Sequence, residues 1–176
     1  MFVEKNLLTS SPRRNIKVPR NYRGDTMIEV LVTVFILAVG VLGVAAMQVT
    51  TLKNLNSSYT AGIAEIVAVD FSERMRSNPT AALADNYVHA AAPGTFTDCA
   101  ANPCTLTQLA TYDMGSWWVV LGDTLPSATG EVTRNPGTNT FVVTVRWDDD
   151  RSGSAGTNCP VQSAVDLDCY RFNVTL

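Results

Sequence analysis

The chain has 176 residues, a length at which we expect one globular domain with a buried core. Its formal net charge of −3 is unevenly placed. Residues 1–24 hold six Lys or Arg side chains against one Glu, a balance of +5 that leaves −8 for the remainder. An acidic body without a basic stripe argues against nucleic-acid binding. A basic head before an apolar run instead favours a cytoplasmic N-terminus at a membrane.

The apolar run covers residues 30–47, eighteen residues without a charge, and Met27 and Ile28 extend it towards the N-terminus. A transmembrane helix needs about 20 apolar residues, so the run predicts a membrane span. A cleaved secretory signal is the alternative, because Val44 and Ala46 could form a small-residue cleavage site. Its apolar core would then exceed the usual length of about 7 to 15 residues.

Helical periodicity continues beyond the span without a Pro or a turn cluster. Apolar residues recur at steps of three and four, at Leu52, Leu55, Tyr59, Ile63, Val67, Phe71 and Met75. We therefore predict one helix from about Asp25 to Ser77, where Asn78-Pro79 supplies a stop. Its apolar stripe is expected to pack against the C-terminal part of the chain.

The C-terminal part opens with an Ala-rich stretch, residues 80–92, that has no clear pattern. Thr105 and Gln108 then form a capping-box signature, and apolar residues at helical spacing predict a short helix that ends before Pro126.

Three strands are predicted after this helix, at Glu131–Asn135, Thr140–Trp147 and Tyr170–Leu176; apolar residues alternate in the last two. The turn-rich segment Asn135–Asn139 should join the first two strands in an antiparallel hairpin. The predicted fold class is α+β, with a long N-terminal helix packed on a small antiparallel sheet.

The four cysteines all follow the apolar run, at Cys99, Cys104, Cys159 and Cys169. Four cysteines allow three pairings, and the short intervening loops favour Cys99 with Cys104 and Cys159 with Cys169. Disulfides would persist in an oxidising periplasm. A metal site is less favoured, because C-x4-C is not a usual zinc spacing and His89 is the only histidine.

The most informative segment lies at the N-terminal end of the span, where Arg23 and Gly24 are separated from Glu29 by four residues. Glycine fits a narrow peptidase cleft in an extended conformation. A carboxylate in lipid costs about 2.5 to 3.5 kcal/mol, so it usually has a partner or a function. Alternatively, Glu29 simply reaches the lipid headgroups.

This arrangement resembles the N-terminus of the type IV prepilin family. The resemblance implies that prepilin peptidase cuts after Gly24 and methylates the new amine of Asp25. It also implies that Glu29 pairs with the N-terminal amine of a neighbouring subunit during assembly. The chain departs from the family at Asp25, where phenylalanine is usual, so a second carboxylate stands beside the amine with which Glu29 would pair. The 24-residue leader is also longer than usual.

Later segments resemble the PilV group of minor pilins. They are residues 27–48 with Gly40 and Gly43, residues 73–79, the pattern Ala110-x-x-Asp113-x-x-x-Trp117, Leu125-Pro126 and Val143-x-Val145-x-Trp147. The resemblance implies a leader at 1–24, a long helix at 25–78 with a span at about 27–47, and a periplasmic head at 79–176. It further implies a low-copy inner-membrane protein that primes pilus assembly or sits at the tip, with links to adhesion and twitching motility. Its partners would be other minor pilins, the major pilin and a tip adhesin.

Two other functions are weighed against this interpretation. A type II secretion pseudopilin shares the N-terminal motif, and a soluble periplasmic binding or enzymatic domain would start near Met47. Asp148-Asp149-Asp150 lacks the ligand spacing of a calcium loop and is predicted to be a solvated turn. With no nucleotide-binding or hydrolase motif, we expect no catalytic residue, metal, cofactor or small-molecule substrate.

Overall fold

A computed structural model describes residues 26–176 of the chain. The elements in order are α1 Met27–Ser77, α2 Pro79–Leu83, α3 Leu106–Thr124, β1 Thr129–Arg134, β2 Thr140–Trp147 and β3 Asp168–Thr175. The chain divides into two compact units, Met1–Ala46 and Met47–Leu176. The long helix and the small antiparallel sheet confirm the predicted α+β class.

In the first unit, every described residue belongs to α1 or to its immediate N-terminal flank, and all of them are exposed. A Cβ added at Gly40 or Gly43 would meet no atom within 4 Å. Among the described residues, α1 is the one helix whose length and hydropathy suffice to cross a membrane. An exposed surface of this composition is unfavourable in water and is typical of a helix that lies in lipid or against other helices.

In the second unit, the rest of α1 supplies one side of the core. Its buried residues are Thr60, Ala64, Val67, Ala68, Phe71, Ser72 and Met75. The predicted apolar stripe is therefore buried only in its later part. Leu52, Leu55 and Tyr59 remain 60 to 67% exposed, so the expectation that the whole stripe packs within the chain is wrong for these three.

The helix ends at Ser77, as the Asn78-Pro79 pair predicted, and α2 begins directly at Pro79 because proline suits the first turn of a helix. The Ala-rich stretch is more ordered than its sequence indicates. Ala81 and Ala82 of α2 are buried, and Tyr87 is fully buried. These three residues belong to the core although the sequence of the stretch lacks periodicity.

The capping box of α3 is formed as predicted: the backbone N–H of Gln108 donates to the Thr105 hydroxyl, and the Thr105 N–H donates to the Gln108 side chain. Trp117 of α3 stacks on Phe71 of α1 with the ring centroids 4.4 Å apart. Its indole N–H also donates to the carbonyl of Val67 at 3.2 Å. Trp117 thus joins α3 to α1, and its predicted place in the core is confirmed.

The sheet has the order β1-β2-β3, with both pairs antiparallel. The predicted hairpin joins β1 to β2 through a turn in which Gly137 takes a positive φ of 72°. Both outer strands begin slightly earlier than predicted, at Thr129 and Asp168. The core face of the sheet carries the buried side chains Val132, Phe141, Val143, Val145, Trp147 and Val174.

Candidate functional site

Glu29 lies in the first turn of α1, where its backbone N–H donates to the carbonyl of Thr26 at 2.8 Å. The next acidic residue of α1 is Glu65, so Glu29 is the one carboxylate of the apolar half of the helix. Within residues 26–176, no basic side chain forms an ion pair with it. A carboxylate suits a helix N-terminus, but in lipid it would still lack a counter-charge.

The predicted cleavage and methylation positions, Gly24 and Asp25, lie outside the described residues. Their spacing from Glu29 is therefore known from the sequence alone. The described residues begin one position beyond them, so the structure places Glu29 but not the amine that the resemblance assigns to it.

A buried polar network connects the end of α1 with α3. The Tyr87 hydroxyl donates to Asp113 at 2.7 Å, and the Asn78 amide donates to the Leu106 carbonyl at 2.8 Å and to the Tyr87 oxygen at 3.3 Å. The Arg74 guanidinium lies 3.7 Å from the other Asp113 oxygen. Burial and the hydrogen bond to Asp113 raise the pKa of Tyr87 well above its ordinary value. These contacts hold α1, the Ala-rich stretch and α3 together.

The acidic turn after β2 is less solvated than predicted, because Asp148 is buried. Its carboxylate accepts hydrogen bonds from the backbone N–H groups of Ser152 and Gly153, so it closes the turn as a structural acceptor. Asp149 accepts a bond from the Thr60 hydroxyl of α1 at 2.5 Å. The turn therefore anchors the loop after β2 to the helix.

Asp168, at the start of β3, faces the same turn. Asp168 is exposed overall, but partial burial of its carboxylate, followed by the charges of Asp149, Asp150 and Asp148, raises the pKa of Asp168. Within residues 26–176, no group of three or more His, Cys, Asp or Glu side chains is placed to hold a metal ion. The carboxylates of Asp148, Asp149, Asp150 and Asp168 repel one another, and hydrogen bonds from backbone N–H groups partly offset this repulsion.

The structure joins Cys99 to Cys104 and Cys159 to Cys169, with Cα–Cα distances of 5.6 and 5.8 Å. These are the pairs that the short loops favour. The second disulfide ties the loop between β2 and β3 to the start of β3. Asp166 closes the same loop: burial would raise its pKa, but hydrogen bonds from Gln162, Ser163 and Asn158 hold that pKa below its usual value.

Two interactions of the second unit are hardly predictable from patterns in the sequence. Tyr87 lies in a stretch without periodicity, and its partner Asp113 is 26 positions away. Arg146 lies on the face of β2 opposite the core, yet it is only 7% exposed. It donates to Glu131 at 2.6 Å and to the Thr157 carbonyl at 2.9 Å. An arginine in a strand that otherwise lacks charge was the one available signal.

Comparison with known families gives two matches that adjoin along the chain. Residues 19–45 match the prokaryotic N-terminal methylation motif, and residues 46–115 match the family described as Type IV pilin Tt1218. The second match contains Asn78, Tyr87 and Asp113, so it covers the buried polar network. No curated protein and no solved structure matches the chain significantly. The chain is thus similar to a prepilin methylation motif over residues 19–45 and to a type IV pilin family over residues 46–115.

Proposed function

We propose that this type IV pilin is a minor pilin, cut after Gly24 by prepilin peptidase, methylated at the amine of Asp25 and then built into a pilus. Type IV pilins are structural proteins, and their assembly with other pilins and their processing by prepilin peptidase follow from the motif. The finer assignment, a low-copy subunit that primes assembly or sits at the tip, is supported by the resemblance of several segments to the PilV group.

One observation carries the proposal: Glu29 stands in the first turn of a helix that is otherwise uncharged and exposed as far as Lys53. In lipid such a carboxylate costs about 2.5 to 3.5 kcal/mol. Pairing with a neighbour's N-terminal amine would offset that cost on assembly, because the helix surface and the charge would then be covered together. Leu52, Leu55 and Tyr59 extend the exposed surface into the second unit and offer further contact area to neighbouring pilins.

The proposed route starts in the inner membrane, with α1 as the anchor and residues 79–176 as a periplasmic head. The disulfides Cys99–Cys104 and Cys159–Cys169 suit an oxidising compartment. Other minor pilins, the major pilin and a tip adhesin are the proposed partners. Adhesion and twitching motility would depend on the protein through its effect on pilus number.

The test is deletion of the gene followed by complementation. The proposal predicts few or no sheared surface pili in the deletion strain, with exoprotein secretion unchanged. In a complemented strain, the ratio of this chain to the major pilin in sheared pili should be far below one. Loss of exoprotein secretion with normal pili would instead indicate a type II secretion pseudopilin. A soluble product that starts near Met47 would indicate a secreted periplasmic domain.

A further inference from the structure

The two edges of the sheet differ in how they are covered. At the β1 edge, His89 and Val132 exchange two backbone hydrogen bonds of 2.8 and 3.0 Å. The Arg134 side chain donates across the same edge to the Leu83 carbonyl and to the Asp85 carboxylate, both at 2.9 Å. Residues 83–89 of the Ala-rich stretch therefore shield this edge against pairing with another strand.

The β3 edge is open. The N–H of Leu176 donates to the Asn139 carbonyl at 3.1 Å. Because the backbone groups of an antiparallel strand point alternately towards its partner and away from it, this bond shows which residues of β3 bond to β2. The backbone groups of the even-numbered residues of β3 bond to β2. The N–H and C=O groups of Arg171, Asn173 and Thr175 point away from β2, towards the open edge. In the part of the chain that the structure describes, no backbone hydrogen bond joins these outward groups to another segment.

This edge has few of the features that usually prevent pairing. The β2–β3 register continues over eight residue pairs without a bulge, and β3 contains neither proline nor lysine. Its charged residues are Asp168, at the very start, and Arg171. A long, regular edge strand of this kind is a template for the addition of a further strand.

The side chains at the edge indicate what such a strand would contain. On the core face, Tyr170 and Phe172 pack against the core but are only half-buried. On the outer face, Arg171 is exposed and forms no ion pair with another described residue. An added strand with apolar residues at alternate positions would cover the two rings, and a carboxylate between them would lie opposite Arg171.

We propose that the β3 edge binds an extended segment of a different protein as a fourth strand, with an acidic residue opposite Arg171 and apolar residues at alternate positions. A second copy of β3 fits less well. Its one acidic residue, Asp168, bonds to β2 through its backbone, so antiparallel pairing of two β3 edges cannot bring it opposite Arg171. Neither membrane insertion nor pilus assembly is needed for this pairing, so its failure would leave the proposed function untouched.

The probe is a fluorescent nine-residue peptide, Thr-Val-Thr-Val-Glu-Val-Thr-Val-Thr, with a matched peptide that has Lys in place of Glu. Binding to the full-length protein in detergent micelles is measured by fluorescence anisotropy. The Glu peptide should bind about three- to tenfold more tightly than the Lys peptide, and Arg171→Glu should reverse that order. Thr133→Glu is the matched control, since Thr133 lies in the same row as Asn173 but on the covered β1 edge.

Asn173→Pro provides a second test. Proline removes an outward N–H without removing a bond to β2, so binding of both peptides should be lost while the circular dichroism spectrum is kept. If this variant fails to fold, the Arg171→Glu reversal still decides the matter. Equal binding of the two peptides, or an equal effect of Thr133→Glu, would overturn the proposal. So would a dimer in sedimentation experiments that Asn173→Pro dissociates, since the second copy would then be the occupant.

Discussion

The hydroxyl of Tyr87 donates a 2.7 Å hydrogen bond to the carboxylate of Asp113, and both side chains are buried. The bond joins the Ala-rich stretch to α3 at a point where Arg74 of α1 also reaches the carboxylate. A buried hydrogen-bonded group of this kind is costly to leave without its partner, so the pair should contribute both to stability and to its dependence on pH.

We expect the stability of the second unit to fall in alkali because of Tyr87. Its folded-state pKa lies above the ordinary value of 10, so its contribution is complete below pH 10 and is lost as the pH rises towards the folded pKa. Relative to Tyr87→Phe, the wild type should lose about 1.4 kcal/mol of unfolding free energy between pH 9 and pH 11. Urea unfolding in micelles measures this, and parallel pH profiles for the two proteins would contradict it.

Gly130 is a place where a single methyl group should destabilise the fold. A Cβ built there would lie 2.4 Å from the ring of Trp117 and 2.9 Å from Leu121, both of which are buried. Gly130→Ala should therefore lower the unfolding free energy by about 1 to 3 kcal/mol. Gly122→Ala is the control, since a Cβ there meets nothing within 4 Å and alanine favours a helix. A similar effect of both substitutions would show that the close approach to Trp117 is not the cause.

Local signals in the sequence account for much of this fold. The capping box at Thr105 and Gln108 and the turn around Gly137 are formed within a few residues, so they could be predicted without knowledge of the packing. The burial of Tyr87 could not be predicted in this way, because it depends on residues that are distant in the sequence. These are Asp113, which accepts its hydrogen bond, and Phe71, whose ring centroid lies 5.9 Å from that of Tyr87. The predicted solvation of Asp148 is wrong for a similar reason, since its backbone donors lie beyond the strand in an irregular turn.

Helical periodicity alone also cannot say which part of a stripe is covered by the same chain. Tyr59 and Phe71 continue one apolar pattern, yet Tyr59 is 67% exposed and Phe71 is fully buried. The difference is set by how far the sheet and α3 extend along α1. The candidate assembly residues are identified from the sequence alone. Gly24 and Asp25 lie outside the described residues, and the role of Glu29 depends on a neighbouring subunit.

Both disulfides should be found in the mature protein as Cys99–Cys104 and Cys159–Cys169, each of which contributes about 2 to 3 kcal/mol by closing a short loop. Peptide mapping without reduction tests the pairing, and a peptide that joins Cys99 to Cys159 or Cys169 would contradict it. Replacing Cys159 and Cys169 together by serine should destabilise the loop that Asp166 closes. The corresponding double replacement of Cys99 and Cys104 should leave that loop unchanged.

Cleavage after Gly24 is expected because it places Glu29 five residues into the mature chain and keeps the whole span on the product. Replacement of Gly24 by valine should leave the precursor uncut, since a branched side chain does not fit a narrow cleft. Intact mass of the purified protein reports the cleavage site, the methyl group on Asp25 and the number of disulfides together. A normal mature mass from the valine variant would show that the cut lies elsewhere.

Glu29 should act in assembly and not in folding of the second unit. It is exposed in the first turn of α1, whereas the buried residues of the helix begin at Thr60. Glu29→Gln should therefore leave the urea unfolding of the second unit unchanged and make membrane insertion slightly easier, because a charge has left the apolar run. What should fall is the amount in sheared pili, since a neighbour's amine would be left unpaired at a cost of about 3 to 5 kcal/mol.

The measurement for Glu29→Gln is the ratio of filament-bound to membrane-bound protein, at equal expression and with cleavage confirmed by mass. A drop of at least about tenfold is expected, because that free-energy cost exceeds the 1.4 kcal/mol of a tenfold change. Thr33→Ala is the matched control: it removes a polar side chain one turn further along the same helix, where the hydroxyl donates to the Val30 carbonyl at 2.8 Å. Its ratio should stay at the wild-type value. An unchanged ratio for Glu29→Gln would mean that the carboxylate merely reaches the lipid headgroups, and a drop for both variants would indicate sensitivity to any change on this helix face.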